Sequence, residues 1–304
     1  MDSGRLPVVL LTGFLGSGKT TLLNAWLRAP ELSNAAVVVN EFGDVGIDHA
    51  LIASSSDNTI ELTTGCMCCT VRGDLINTLR ELFLKRSRGE VRAFDRLVIE
   101  TTGLADPIPI IQALMTFPVA TRYRLQRVLT VVDAVQGASN IDKKPEAFKQ
   151  VAVADEIIIS KLDLASEEGV GALMNKVRAI NLGATKQFSS SGNVPPPFGF
   201  EASDIYSPAS KSADVRRWLN AEAYSERHEH SDDHKDAGRH DTKIGSFCLE
   251  YHEPLEWEHV ANWLDALVVA HGEDLLRVKG IFDIAGRDAP IVVQAVQKLF
   301  HAPT

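Results

Sequence analysis

Apolar positions along this chain come in short unbroken runs, each followed by a polar, glycine- or carboxylate-bearing segment. Val8–Leu11, Ala35–Val39, Arg96–Ile99, Val128–Val132 and Glu156–Ile159 are such runs, and Thr59–Leu62 is a shorter one. Runs of this length bounded by turn residues read as strands buried on both faces, the habit of a parallel sheet. Between them the spacing becomes helical. Thr21–Arg28 gathers Leu22, Leu23, Trp26 and Leu27 on one side, Leu75, Leu79, Leu82 and Phe83 recur after Asp74, and Leu173–Ile180 repeats the pattern. Pro30 closes the first helix, and the pair Pro107/Pro109 is expected to block helix continuation after the strand at 96–99. Strands alternating with helices predict an α/β fold, a doubly wound and mostly parallel sheet over residues 1–190.

A composition break at Ser189–Gly199, with Pro195, Pro196 and Pro197 in sequence, ends that pattern. Ala213–Ala223 reads as a short helix, Ile244–Tyr251 as an alternating strand, Leu255–Val269 as a helix and Leu275–Ile284 as a strand. Val292–Leu299 is apolar enough for sheet or helix. Residues 244–304 are thus expected to form a small α+β C-terminal domain, joined by a linker over 191–243. Within that linker His228, His230, His234 and His240 stand among carboxylates with no aliphatic anchor larger than alanine. Such a stretch cannot build a core. It is either a solvated surface loop or a low-affinity metal-capture arm.

Composition narrows the class. Of 304 residues, 45% are hydrophobic and 23% charged, as in ordinary globular proteins, and the net charge of −9 argues against a general nucleic-acid binder. No stretch approaches the ~20 apolar residues of a membrane span, and the first strand begins too soon to leave room for a secretory signal. Three of the four cysteines cluster at 66, 68 and 69, which in a reducing compartment means metal or redox chemistry rather than a disulfide framework. The expected location is the cytoplasm. Cys248, between Phe247 and Leu249, is expected in the core.

The strongest chemical signal follows the first strand. Gly13, Gly18, Lys19 and Thr20 fit the phosphate-loop spacing G-x-x-x-x-G-K-[ST]. Glycines at Gly13, Gly16 and Gly18 let backbone N–H groups converge, with Ser17 and Thr21 beside them, and the helix behind adds the positive end of its dipole. Lys19 would reach the β- and γ-phosphates, and the Thr20 hydroxyl would hold Mg²⁺. This predicts a nucleoside-triphosphate site. Glu100, ending the strand at 96–99, is the expected water-mediated partner of Mg²⁺, and Gly103 can bring an N–H to the γ-phosphate. Ser160-Lys161-Leu162-Asp163 ends another strand. A carboxylate at Asp163 can accept from both the ring N1–H and the amino group of guanine, which adenine cannot offer, with the Lys161 stem over the base.

Asn40-Glu41-Phe42-Gly43-Asp44-Val45-Gly46-Ile47-Asp48 follows the second strand, where a nucleotide-sensing switch would lie. Its carboxylates Glu41, Asp44 and Asp48 face metal or water, or form a plain solvated loop. Cys66-Met67-Cys68-Cys69 precedes a helix N-terminus, whose dipole favours thiolate. Three readings stand: a redox pair, which the strained ring of adjacent cysteines disfavours; a structural zinc site, which would want a fourth ligand; and an incomplete, exchangeable site for Zn²⁺ or Co²⁺.

In order, G-F-L-G-S-G-K-T-T-L-L-N, N-E-F-G-D-V-G-I-D, G-C-M-C-C-T-V-R-G-D-L, I-E-T-T-G-L-A-D-P, S-K-L-D and the tail's L-L-R-V-K-G-I resemble the CobW-type metal-chaperone GTPases. The resemblance covers nearly the whole chain, apart from the His-rich loop and the segment around 190–225. It implies GTP and Mg²⁺ binding, slow hydrolysis, and delivery of a transition metal, zinc or cobalt, to a client metalloprotein. Cys66 with Cys68 or Cys69 would be the ligands. Ser160 departs from the family's asparagine. Asn181 and Ala184 resemble its second base-contacting turn, with Leu182 where a proline is usual. With no glutamine or arginine finger evident, turnover on the order of 10⁻³ s⁻¹ is expected. A metal-storage protein with a merely structural nucleotide site is the alternative, a small-molecule kinase a weaker one. The tail domain is the expected surface for the client or for self-association.

Overall fold

The computed structural model describes residues 4–32, 34–40, 59–61, 71–190 and 247–300. Each expected run in the first domain becomes a strand: β1 (Leu6–Gly13), β2 (Ala35–Asn40), β3 (Thr59–Glu61), β4 (Arg96–Thr101), β5 (Tyr123–Asp133) and β6 (Glu156–Ser160). A seventh, β7 (Thr185–Phe188), carries Thr-Lys-Gln-Phe and closes one edge of the sheet. An edge strand packs fewer neighbours, so its sequence needs no apolar run. All seven pair in parallel, in the order β3-β2-β4-β1-β5-β6-β7.

Parallel neighbours need crossovers. Those described include α1 (Lys19–Trp26), α2 (Val71–Ser87), α3 (Pro107–Met115), α4 (Gly137–Lys143), α5 (Pro145–Ala152) and α6 (Glu167–Ile180). Alternate side chains of β1 enter different cores. Val8 and Leu10 join Leu75 and Leu79 of α2 and Ile110 and Ile111 of α3, whereas Val9 and Leu11 join Leu22, Leu23 and Trp26 of α1. Helices therefore cover both faces, the doubly wound arrangement. Because β1 lies between β4 and β5 while β2 lies beyond β4, the chain changes direction across the sheet beside β1. Ligands bind beyond the carboxyl ends of the strands at such a point.

Two expectations in this domain change. Strand β5 begins at Tyr123, well before Val128, because its first half alternates buried and half-buried residues instead of forming an apolar run. The register with β1 shifts between Val8 and Val9, skipping Gln126. The Pro107/Pro109 pair starts a helix instead of blocking one. First-turn N–H groups have no helical acceptor, so proline loses nothing there, and Asp106 Oδ1 caps α3 by accepting from Ile108 N–H at 2.9 Å.

Helix α7 (Trp257–His271) packs Val260 and Leu264 on Ile284, Ile291 and Val293 of a small antiparallel sheet. That sheet comprises β8 (Val278–Phe282), β9 (Ile291–Val296) and β10 (Leu299–Phe300), so the ambiguous stretch at 292–299 is sheet. The described part of the strand expected at 244–251 is not a strand. Phe247, Leu249 and Tyr251 are mostly exposed, and Cys248 is a half-exposed free thiol rather than a core residue. Alternation alone does not bury a segment that pairs with no strand among the described residues.

Val296 enters the same core as α2 and α3, with Leu276 and Leu299 against it, and Gln112 Nε2 donates to Gln297 Oε1 at 3.0 Å. Asp155, just before β6, accepts from Val128 N–H and pairs with Arg277 at 2.9 Å and Lys279 at 2.5 Å. This attachment is at the amino edge of the large sheet, opposite the phosphate loop. No helix among the described residues is long and apolar enough to cross a membrane.

Candidate nucleotide site

Strand register brings the expected residues to one edge. Leu11 and Val39 both align with Glu100, Gly13 aligns with Val131, and Asp133 with Ser160. The phosphate loop leaves β1 at Gly13 (φ +144°), where a Cβ would sit 2.3 Å from the Val131 carbonyl oxygen. No other residue fits there. Gly16 and Gly18 also have positive φ, +70° and +95°, and Gly18 leads directly into α1. That helix has no side-chain cap and no acid in its first turn, so its leading N–H groups stay unclaimed by capping side chains and suit an anion. Lys19 is buried and donates to the loop's own carbonyls, Gly13 O at 2.9 Å and Phe14 O at 3.3 Å.

Thr20 and Glu100 meet. The Thr20 hydroxyl donates to the buried Glu100 carboxylate at 2.7 Å, and one residue further along β4 the Thr101 hydroxyl donates to that of Thr12 at 2.9 Å. Gly103 packs on the phosphate loop so closely that a Cβ would stand 2.5 Å from Leu15 N. Thr21 is exposed at the start of α1, while the Ser17 side chain is buried.

On the other side of β1, Lys161 takes a left-handed conformation (φ +58°) and its ammonium pairs with Asp133 Oδ2 at 2.6 Å. Asp133 Oδ1 is fixed in turn by Val135 N–H at 2.7 Å and Gln136 N–H at 3.2 Å. Asp163 follows on an exposed turn. Sequence reading gave Asp133 no role, although a carboxylate ending a buried strand is the signal that singled out Glu100. Ser160, the departure from the family's asparagine, keeps a tie of its own: its hydroxyl donates to Ser17 O in the phosphate loop at 2.7 Å.

Asn181 is not at this site. It ends α6, buried at the amino edge of β6, where its amide donates to Val151 O, Ala152 O and Ala154 O and its Oδ1 accepts from Ala184 N–H. Strand β7, by contrast, ends at the carboxyl edge, where Leu162 N–H reaches Ser189 O at 3.4 Å.

Glu41, Asp44, Asp48, Cys66, Cys68, Cys69, the helix expected at 213–223, and His228, His230, His234 and His240 lie outside the described residues. Among the described residues, no group of three His, Cys, Asp or Glu side chains could hold a metal.

A parallel sheet with a phosphate loop at its switch point and a hydroxyl–carboxylate pair beside it defines a P-loop nucleotide-binding protein. Residues 7–187 match the CobW/HypB/UreG nucleotide-binding domain and residues 244–304 match the cobalamin synthesis protein cobW C-terminal domain. The chain belongs to the CobW/YjiA family of P-loop GTPases. It is 33% identical over 298 residues to the zinc chaperone YjiA of Escherichia coli, covering 98% of this chain and 88% of that one. Against the zinc chaperone CobW of Pseudomonas aeruginosa it is 31% identical over 331 residues, covering 97% and 82%. The crystal structure of Zn(II)-bound YjiA GTPase from E. coli superposes with a TM-score of 0.61 at 28% identity, over 99% of this chain and 88% of that one.

Proposed function

We propose that this chain binds and slowly hydrolyses GTP, and that the nucleotide state controls a transition-metal site at Cys66, Cys68 and Cys69 from which zinc is delivered to a client metalloprotein. The nucleotide half rests on the 2.7 Å contact between Thr20 and Glu100 at the mouth of the phosphate loop. Both are hard oxygen donors within reach of each other, a set that suits Mg²⁺ retaining several waters. Bound there, Mg²⁺ would neutralise charge on the β- and γ-phosphates.

The chain's own residues do the rest. Lys19 exchanges two loop carbonyls for phosphate oxygens, the N–H groups of residues 18–21 surround the β-phosphate, and Gly103 meets the γ-phosphate. Asp163 reads guanine while Asp133 holds the Lys161 stem across the base. Two or three thiolates plus a carboxylate or water would hold the metal while leaving an exchangeable position, which delivery needs and a structural site does not. Glu41 is a further candidate ligand, and His228, His230, His234 and His240 serve as a loose capture arm. The naming of YjiA and CobW as zinc chaperones favours zinc over cobalt. On this reading residues 1–190 are the GTPase domain, 191–243 the linker and 244–304 the C-terminal domain.

The test is zinc affinity by chelator competition, in GDP, in a nonhydrolysable GTP analogue and without nucleotide. Linkage requires that if GTP tightens zinc, zinc tightens GTP by the same factor. Tighter binding with the analogue is expected, and equal affinity in all three states would overturn the reading.

A further inference from the structure

The turn between β4 and α3 carries Gly103, and what holds it comes from α5. Gln150 is 1% exposed. Its Nε2 donates to Gly103 O at 3.2 Å and to Ala105 O at 3.0 Å, while its backbone carbonyl accepts the Thr130 hydroxyl at 2.7 Å. Lys149, the preceding residue, pairs with Asp106 Oδ2 at 2.6 Å, but that pair is about one-third exposed and contributes less. Gln150 also lines a cavity of about 10 Å³ behind the phosphate loop, shared with Ser17, Thr130 and Asp133.

We infer that Gln150 is a positioning residue for the γ-phosphate-facing turn. The inference rests on the proposed GTP site but adds a residue that touches neither nucleotide nor metal. Two buried carbonyls on alternate residues, both gripped by one amide, fix the Gly103–Leu104 and Ala105–Asp106 peptide planes. Gly103 cannot retreat from α5 without losing them, and it cannot advance because Leu15 is already in contact. The turn therefore stands in one orientation before nucleotide arrives, which places the gain on the γ-phosphate rather than on GDP. A polar side chain inside a helix-to-sheet core would otherwise be a net cost.

The test is Gln150→Met, which keeps length and volume and removes both donors. Expected is a fall in kcat on the order of tenfold, the equivalent of about one buried hydrogen bond, with GDP affinity within about twofold of the parent. Unchanged kcat, or parallel loss of GDP and GTP affinity, overturns the inference. Amide exchange at Leu104 and Asp106 in the nucleotide-free proteins decides independently of turnover: faster exchange in the variant supports the inference, and equal exchange overturns it. Failure of the GTP reading is distinct, since the unmodified protein would then not bind GTP at all.

Discussion

Ser160 joins the end of β6 to the phosphate loop through one hydroxyl, which donates to Ser17 O, with Val132 O at 3.4 Å as a second acceptor. Both partners are buried, so Ser160→Ala is expected to cost about 1 kcal/mol and to weaken GDP and GTP binding together, because it loosens the loop beneath the β-phosphate. Titration calorimetry with each nucleotide reads this directly; loss confined to GTP would refute it. Asp133 acts one step away. It pairs with the ammonium of Lys161, a meeting that follows from the alignment of β5 with β6.

At the scale of elements, the β4–α3 connection is over-determined. Asp106 caps α3, Pro107 and Pro109 preset its first turn, α5 grips its carbonyls and Leu15 closes it from the front. Gly103→Ala would place a methyl 2.5 Å from backbone atoms of Leu15, which cannot swing aside as a side chain end would. The expected outcome is that a nonhydrolysable GTP analogue binds no tighter than GDP, while GDP affinity is largely kept. Retained preference for the analogue would show that this turn does not meet the γ-phosphate.

Across the whole molecule, the joint between the two sheets adds an ion-pair cluster to the apolar contacts of Val296, Leu276 and Leu299. Burial works against the charged form of Asp155, but the adjacent Arg277 and Lys279 outweigh it and hold the carboxyl below its ordinary range. Arg277 also bonds Val153 O. Neighbouring Glu156 shifts the other way, raised by burial against the opposing pull of Arg127. A carboxylate with a depressed folded-state pKa stabilises fully above its unfolded value of about 4 and loses that contribution as pH falls further. Asp155→Asn leaves the partly buried Arg277 and Lys279 without their countercharge, so a loss of about 3 kcal/mol at pH 7 is expected. The deficit should narrow below pH 4, where the parent loses the same interaction. Urea unfolding at several pH values tests it, and a constant deficit down to pH 3 would contradict the assignment.

The sequence by itself determined what is local. Apolar runs long enough to be buried on both faces specify β1, β2, β4 and β6, and the glycine spacing around Lys19 specifies the phosphate loop, since each depends on a few consecutive residues. β7, α4 and α5 lack such a signature. Two helix-forbidding prolines proved compatible with a helix because position within the turn, rather than residue type, decides their cost. Tertiary structure alone decided which distant residues meet. Asn181 falls at the amino edge rather than beside the base because parallel pairing returns the chain there before β7 begins. Ser160 reaches Ser17 and Gln150 reaches Gly103 because strand order stacks β6, β5, β1 and β4 side by side. Those contacts join residues far apart in the chain, and no pattern along it encodes them.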